Sequence, residues 1–87
     1  MNKKHRQTLR EIFKNPVRSN ISWDDIEKLL INLGAELIEA RGSRLKIVLN
    51  GKRAVFHRPH PRKETEKGAV GSMRRFLTEA GVRTDEV

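Results

Sequence analysis

The feature that most constrains the fold is the dipeptide Asn50-Gly51, which lies between two runs of alternating apolar and polar residues. Asn-Gly is typical of a two-residue type I′ turn, because both central residues of that turn need a positive φ angle. We therefore predict a β-hairpin whose register follows from the position of the turn. Counting outward from the turn, this register places Arg44 directly opposite His57.

The register sorts the hairpin side chains onto two faces. One face is apolar and is predicted to belong to the core; it carries Leu45, Ile47, Leu49, Ala54 and Phe56. The other is cationic and is predicted to be open to solvent; it carries Arg44, Lys46, Arg53 and His57. Directly opposed residues have Cβ atoms roughly 4.5–5.5 Å apart, so Arg44 and His57 are expected to be neighbours. Taken alone, such a face is most often an ordinary solvated surface.

The charge of the chain points to a polyanionic partner. The 87 residues carry a formal net charge of +8, an excess that favours nucleic acid or an acidic protein over a membrane surface. The sequence has no cysteine, no apolar run that could span a bilayer and no signal-peptide-like region after its basic start. These features predict one small cytoplasmic domain without disulfides or thiolate metal sites.

Three helices are predicted from apolar residues at helical spacing. Ser22 opens a capping-box pattern before the second helix. Gly34 and Gly81 suit the residues that follow the second and third helices. The predicted helices cover residues 5–13, 23–33 and 69–80.

A strand over residues 35–41 and the hairpin complete a three-stranded antiparallel sheet, while residues 62–67 are predicted to be a charged loop. After the first helix the order is α-β-β-β-α, which is an α+β fold. One layer of helices on one face of the sheet buries the apolar residues and leaves the other face free. The predicted divisions are an N-terminal helical extension and connector (1–20), the main domain (21–82) and a flexible tail (83–87).

A set of short motifs spread over most of the chain carries a family resemblance. The motifs are Gly34, Arg41-Gly42-Ser43, the hairpin, Pro59-His60-Pro61, Lys67-Gly68 and Ala80-Gly81. In this order they resemble the HicA toxins of bacterial and archaeal toxin–antitoxin pairs, from about Ile21 to Val82. The resemblance implies a fold like that of a double-stranded-RNA-binding domain and cleavage of mRNA that arrests translation. It also implies a HicB-like antitoxin as protein partner, with no metal and no small-molecule cofactor.

The chain departs from the family at one position. The family usually carries its catalytic histidine immediately after Gly-Ser, where this chain has Arg44. Because His57 is the cross-strand partner of Arg44 on the same face, its imidazole would project into nearly the same space. We therefore predict that His57 replaces the missing histidine as catalytic base. His60 is a weaker candidate for the acid, and its structural alternative is to hold its loop against the last helix.

The chemistry of RNA cleavage suits this assignment. RNA supplies its own nucleophile, the 2′-hydroxyl, so the protein must accept a proton and stabilise charge at phosphorus. Histidine titrates close to neutral pH, and general acid–base catalysis contributes roughly 10²–10⁴-fold. A guanidinium can bind the scissile phosphate through two hydrogen bonds. The residues predicted to bind RNA are Arg44, Lys46, Arg53 and Arg58.

Two other interpretations stay open. In the first, the cationic face only binds RNA phosphates, and the protein is a catalytically silent RNA-binding module. In the second, the face binds only an acidic protein partner. Cleavage of RNA in the presence of EDTA separates the ribonuclease from both alternatives, and a salt-dependent affinity for intact RNA separates the two alternatives from each other.

Overall fold

Three helices and five strands form the fold in the computed structural model, which describes residues 1–59 and 63–84. In chain order they are α1 (Lys3–Ile12), β1 (Ile21–Ser22), α2 (Trp23–Asn32), β2 (Glu36–Glu39), β3 (Arg44–Leu49), β4 (Lys52–His57), β5 (Glu64–Thr65) and α3 (Lys67–Glu79). Strands β2, β3 and β4 form an antiparallel sheet in that order, and β1 pairs with β5. The predicted α+β fold, with three helices and a three-stranded sheet, is confirmed, although most of the predicted tail lies outside the described residues.

The hairpin is built on the predicted turn. Asn50 has a φ of 50° and Gly51 a φ of 81°, as a type I′ turn requires. The register is also as predicted, up to the pair formed by Arg44 and His57. Asn50 Nδ2 donates a hydrogen bond to the carbonyl oxygen of Ala80 at 2.8 Å, which attaches the tip of the hairpin to the end of α3.

The core lies between one face of the sheet and the helices. Leu45, Ile47 and Leu49 of β3 are buried on this face, as predicted, together with Phe56 of β4. The buried apolar side chains that the helices add are Leu9, Ile12, Trp23, Ile26, Leu29, Leu30, Val70, Met73, Phe76 and Leu77. Full burial of one large aliphatic side chain stabilises the fold by about 1.5–3 kcal/mol. Packing of the helices against the apolar face of the sheet is therefore favourable, and the opposite face stays exposed.

Gly34 ends α2 as predicted. It has a φ of 94°, a conformation that glycine adopts without a steric penalty. Its N–H donates to the carbonyl oxygen of Ile31 at 3.0 Å, and the N–H of Ala35 donates to that of Leu30 at 2.9 Å. This double closure is a Schellman motif, and it turns the chain directly from α2 into β2.

The pairing of β1 with β5 was not predicted, because a two-residue strand has no periodicity that a sequence could reveal. Ile21 pairs with Thr65 and Ser22 pairs with Glu64. Glu64 and Thr65 lie in the segment predicted to be a charged loop, whereas Ser22 was predicted to open the second helix. Ser22 does precede α2, but its side chain makes no capping hydrogen bond in the described part of the chain. Ser22 is therefore the N-cap residue of α2, as predicted, but its predicted capping hydrogen bond is not formed.

Helix α1 contributes to the same core as the other helices. Leu9 and Ile12 are fully buried. Arg74 of α3 donates hydrogen bonds to the carbonyl oxygens of Ile12 at 3.0 Å and Lys14 at 2.8 Å, so it satisfies acceptors at the end of α1. The division of the chain at residue 20 stays a prediction. Within residues 1–59 and 63–84, no helix is long and apolar enough to cross a membrane.

Candidate functional site

The outer sheet face consists of the solvent-facing side chains of β2, β3 and β4, and the register arranges it in rows. Arg44 lies beside His57; the next row is Ile38, Lys46 and Val55, and the last is Glu36, Val48 and Arg53. All four residues of the predicted cationic face are exposed. Ile38 and Val55 are also exposed, by 40% and 50%. The face therefore combines cations with exposed apolar side chains and one carboxylate, that of Glu36.

Arg44 and His57 form a non-hydrogen-bonded pair of the β3–β4 ladder. The N–H of Arg58 donates to the carbonyl oxygen of Ser43 at 2.8 Å, so the next pair along the ladder is a hydrogen-bonded one. Because the two kinds of pair alternate, the Cα atoms of Arg44 and His57 are expected about 4.5 Å apart, the closer of the two spacings. The structure thus brings together the two residues that the turn position placed opposite each other.

The side chain of Arg58 lies on the core side of the sheet. Its Nε donates to Oε2 of Glu27 at 2.8 Å, and its Nη1 is paired with Glu39. These hydrogen bonds, first that to Glu27 and then that to Glu39, raise the pKa of Arg58 above its usual value. Glu27 also accepts a hydrogen bond from the indole N–H of Trp23.

The predicted RNA-binding role of Arg58 stays a prediction, but its charge is already balanced by two carboxylates. Sequence reasoning grouped Arg58 with the other cations because it counted charge. The partner that holds it, Glu27, is 31 residues away on another element. The direction of this side chain therefore depends on the packing of α2 against the sheet.

An open cleft of about 820 Å³ lies between β4, β5 and the start of α3. His57 lines this cleft as well as belonging to the outer sheet face. The other lining residues include Val55, Glu64, Thr65, Glu66 and Lys67. Sequence reasoning missed the cleft because its far wall depends on the unpredicted pairing of β5 with β1.

The remaining predicted residues are placed as follows. His60 lies outside the described residues, so its predicted role as acid is untested. His5, which was not predicted to belong to the site, is half-buried on α1. No group of three or more histidine or carboxylate side chains is placed to hold a metal ion in residues 1–59 and 63–84.

Most of the chain matches a protein-family model. Residues 23–82, which are more than half of the chain, match the family model of the HicA toxin of bacterial toxin–antitoxin systems. The match includes the outer sheet face and the described lining residues of the cleft except Ser19, whereas α1 lies before it. No match was found among curated proteins or among solved structures.

Proposed function

The chain belongs to the HicA family of toxins from toxin–antitoxin systems, and from that premise we propose that it is a metal-independent endoribonuclease that cleaves mRNA and arrests translation. The observation that carries this proposal is the cross-strand pair of Arg44 and His57 on an exposed face. A position next to the family's usual histidine site thus holds an imidazole, although that site itself holds an arginine. A cytoplasmic location, where mRNA is translated, is part of the proposal.

In the proposed reaction, His57 accepts the proton of the 2′-hydroxyl as this oxygen attacks the adjacent phosphorus. The bond from phosphorus to the 5′-oxygen breaks, which gives a 2′,3′-cyclic phosphate and a 5′-hydroxyl. Arg44 binds the non-bridging oxygens and stabilises their growing negative charge. His60 is kept as the proposed acid that protonates the departing 5′-oxygen.

Lys46 and Arg53 extend the proposed RNA contact beyond the reacting phosphate. They lie in the two rows that follow the pair of Arg44 and His57. Both are exposed. We propose that they bind flanking phosphates, while Ile38 and Val55 contact apolar parts of the nucleotides.

Membership of the family implies an antitoxin partner. We propose that this partner is HicB-like and covers the outer sheet face, so that RNA cannot reach His57. The net charge of +8 favours a partner that presents carboxylates to this face.

The enzymatic proposal is tested with purified protein and a structured mRNA fragment in EDTA. We expect wild-type cleavage to leave 2′,3′-cyclic phosphate ends and His57→Gln to lower the rate by about 10²-fold or more. His5→Gln, which changes a histidine on α1, is the matched control and should cleave at the wild-type rate. Undiminished cleavage by a folded His57→Gln variant would refute the assignment of this residue.

A catalytically silent RNA-binding module is the second candidate. The observation that favours it is Arg44, because the family's usual catalytic position is occupied by a residue that does not act as a base. This candidate predicts intact RNA after long incubation and an affinity that falls steeply with salt. Growth arrest on expression, relieved by an antitoxin and lost in His57→Gln, would favour the ribonuclease over this module.

A further inference from the structure

We propose that the cleft beside His57 binds an RNA base and selects bases that carry an amino group over uracil. The base belongs to the nucleotide whose 2′-hydroxyl attacks. That placement rests on the proposed ribonuclease function, whereas base binding itself requires no catalysis.

The cleft adjoins the outer sheet face. His57 lies on the outer sheet face and also at the cleft. Strand β4 is at the edge of its sheet, so a nucleotide held at Arg44 and His57 can extend over this edge. A 2′-hydroxyl beside the imidazole therefore places the attached base at the mouth of the cleft.

The β4 side of the cleft is partly apolar. Phe56, which is 6% exposed, and Val55 contribute to its β4 side. The ring of Phe56 packs between Trp23 and Phe76, at centroid distances of 5.9 and 6.4 Å. The buried aromatic cluster therefore supports this side of the cleft from below, and Val55, which is 50% exposed, offers an apolar surface to a base.

The β5 side of the cleft carries hydrogen-bonding side chains. Glu64 and Glu66 are exposed carboxylates on either side of Thr65. Thr65 is only 1% exposed, and its hydroxyl is buried with no hydrogen-bond partner among the described residues. Since buried polar groups are normally paired, a bound water or a group of a ligand in the cleft is the expected partner of this hydroxyl.

The charge of the cleft favours a base over a phosphate. Arg58 contributes to the lining, but Glu27 and Glu39 already balance its charge. The positive charge of Lys67 is offset by the negative charges of Glu64 and Glu66, and these two carboxylates repel a phosphate. Carboxylates accept hydrogen bonds from the exocyclic amino groups of adenine, cytosine and guanine, whereas uracil has no amino group and presents its one N3–H donor between two carbonyl oxygens that a carboxylate repels.

The test measures binding of four 2′-O-methyl oligoribonucleotides, which cannot be cleaved because the nucleophile is blocked. Three are oligouridylates with adenine, cytosine or guanine at the central position, and the fourth is the all-uracil strand. We expect the all-uracil strand to bind about 5–100-fold more weakly by fluorescence anisotropy, as the loss of good base contacts implies. Mapping of cleavage sites on ordinary RNA should show the same bias immediately 5′ of the broken bond.

Three variants locate the preference. Glu64→Gln and Glu66→Gln should reduce it, and Thr65→Val should reduce it while leaving the melting temperature unchanged or higher, because an unpaired buried hydroxyl is removed. Glu79→Gln, at the other end of α3, is the matched control and should retain the full preference.

Equal affinity for all four strands, or a failure to bind any of them, would overturn the inference. So would a uniform gain in affinity in both glutamine variants, because that result indicates a phosphate in the cleft. If the preference is found but ordinary RNA stays intact, the base-binding cleft stands and the proposed ribonuclease activity falls.

Discussion

Arg44 and His57 occupy the two members of one non-hydrogen-bonded pair, so each presents its side chain from a neighbouring strand to the same part of the outer sheet face. Cross-strand pairs of this kind have closely spaced side chains. Under the proposed mechanism, either strand can therefore supply the imidazole of the pair.

The first prediction exchanges these two residues. The double variant Arg44→His/His57→Arg restores a histidine to the position after Gly42-Ser43 and keeps one cation in the pair. We expect its cleavage rate to stay within about tenfold of wild type, or about 1.4 kcal/mol in activation free energy. His57→Arg alone should be inactive, since it leaves no imidazole in the pair. Equal inactivity of the single and double variants, both with native circular dichroism, would contradict the exchange.

The second prediction concerns phosphate contacts. Lys46→Ala and Arg53→Ala each remove one exposed cation of the outer sheet face. The slope of log affinity against log salt for single-stranded RNA should decrease in magnitude by about 0.7 for each variant, because one phosphate contact is lost.

Lys28→Ala is the matched control for this prediction. It removes the same charge from an exposed position on α2, so its salt slope should stay at the wild-type value. If the slope falls equally in all three variants, net charge rather than the outer sheet face governs RNA binding.

The hairpin could be predicted because its information is local. Asn50-Gly51 determines the turn, the turn determines the register, and the register determines that Arg44 meets His57. The helix ends at Gly34 and Gly81 could be predicted for the same reason, since each needs only a glycine after an apolar repeat.

The cleft and the direction of Arg58 could not be predicted because both depend on distant contacts. Thr65 becomes buried through its pairing with Ile21, which lies 44 residues earlier in the chain. Arg58 turns to the core side because Glu27 and Glu39 converge there from α2 and β2. The pattern of apolar and polar residues along the chain predicts neither of these long-range contacts.

The third prediction separates the structural role of Arg58 from RNA binding. Arg58→Met keeps much of the aliphatic stem but leaves Glu27, with 20% side-chain exposure, without its guanidinium partner. We expect the free energy of unfolding in urea to fall by about 1–2 kcal/mol. The loss is smaller than for a fully buried pair, because solvent still reaches both side chains. RNA affinity measured at a temperature where the variant is folded should change little.

Arg53→Met is the matched control for Arg58→Met, because Arg53 is exposed on β4. Its free energy of unfolding should stay within about 0.5 kcal/mol of wild type, while its RNA affinity falls. The opposite pattern, with Arg58→Met stable but impaired in RNA binding, would support the predicted RNA-binding role of Arg58.

Helix α1 lies before the residues that match the family model, yet it is not peripheral to the fold. Leu9 and Ile12 are fully buried against the rest of the core, and Arg74 of α3 donates a hydrogen bond to the carbonyl oxygen of Ile12. A domain of this size has a total stability of about 5–15 kcal/mol, so the loss of these contacts is a large fraction of it.

The fourth prediction compares two isoleucine-to-alanine substitutions. Ile12→Ala removes a fully buried side chain and should lower the free energy of unfolding by about 2–5 kcal/mol, from lost burial and the cavity left behind. Ile31→Ala, at a position that is 61% exposed on α2, should change it by about 0.5 kcal/mol or less. Urea unfolding followed by circular dichroism measures both. Equal, small effects would show that α1 is dispensable, and a chain that begins at residue 21 would then be expected to fold cooperatively and cleave RNA.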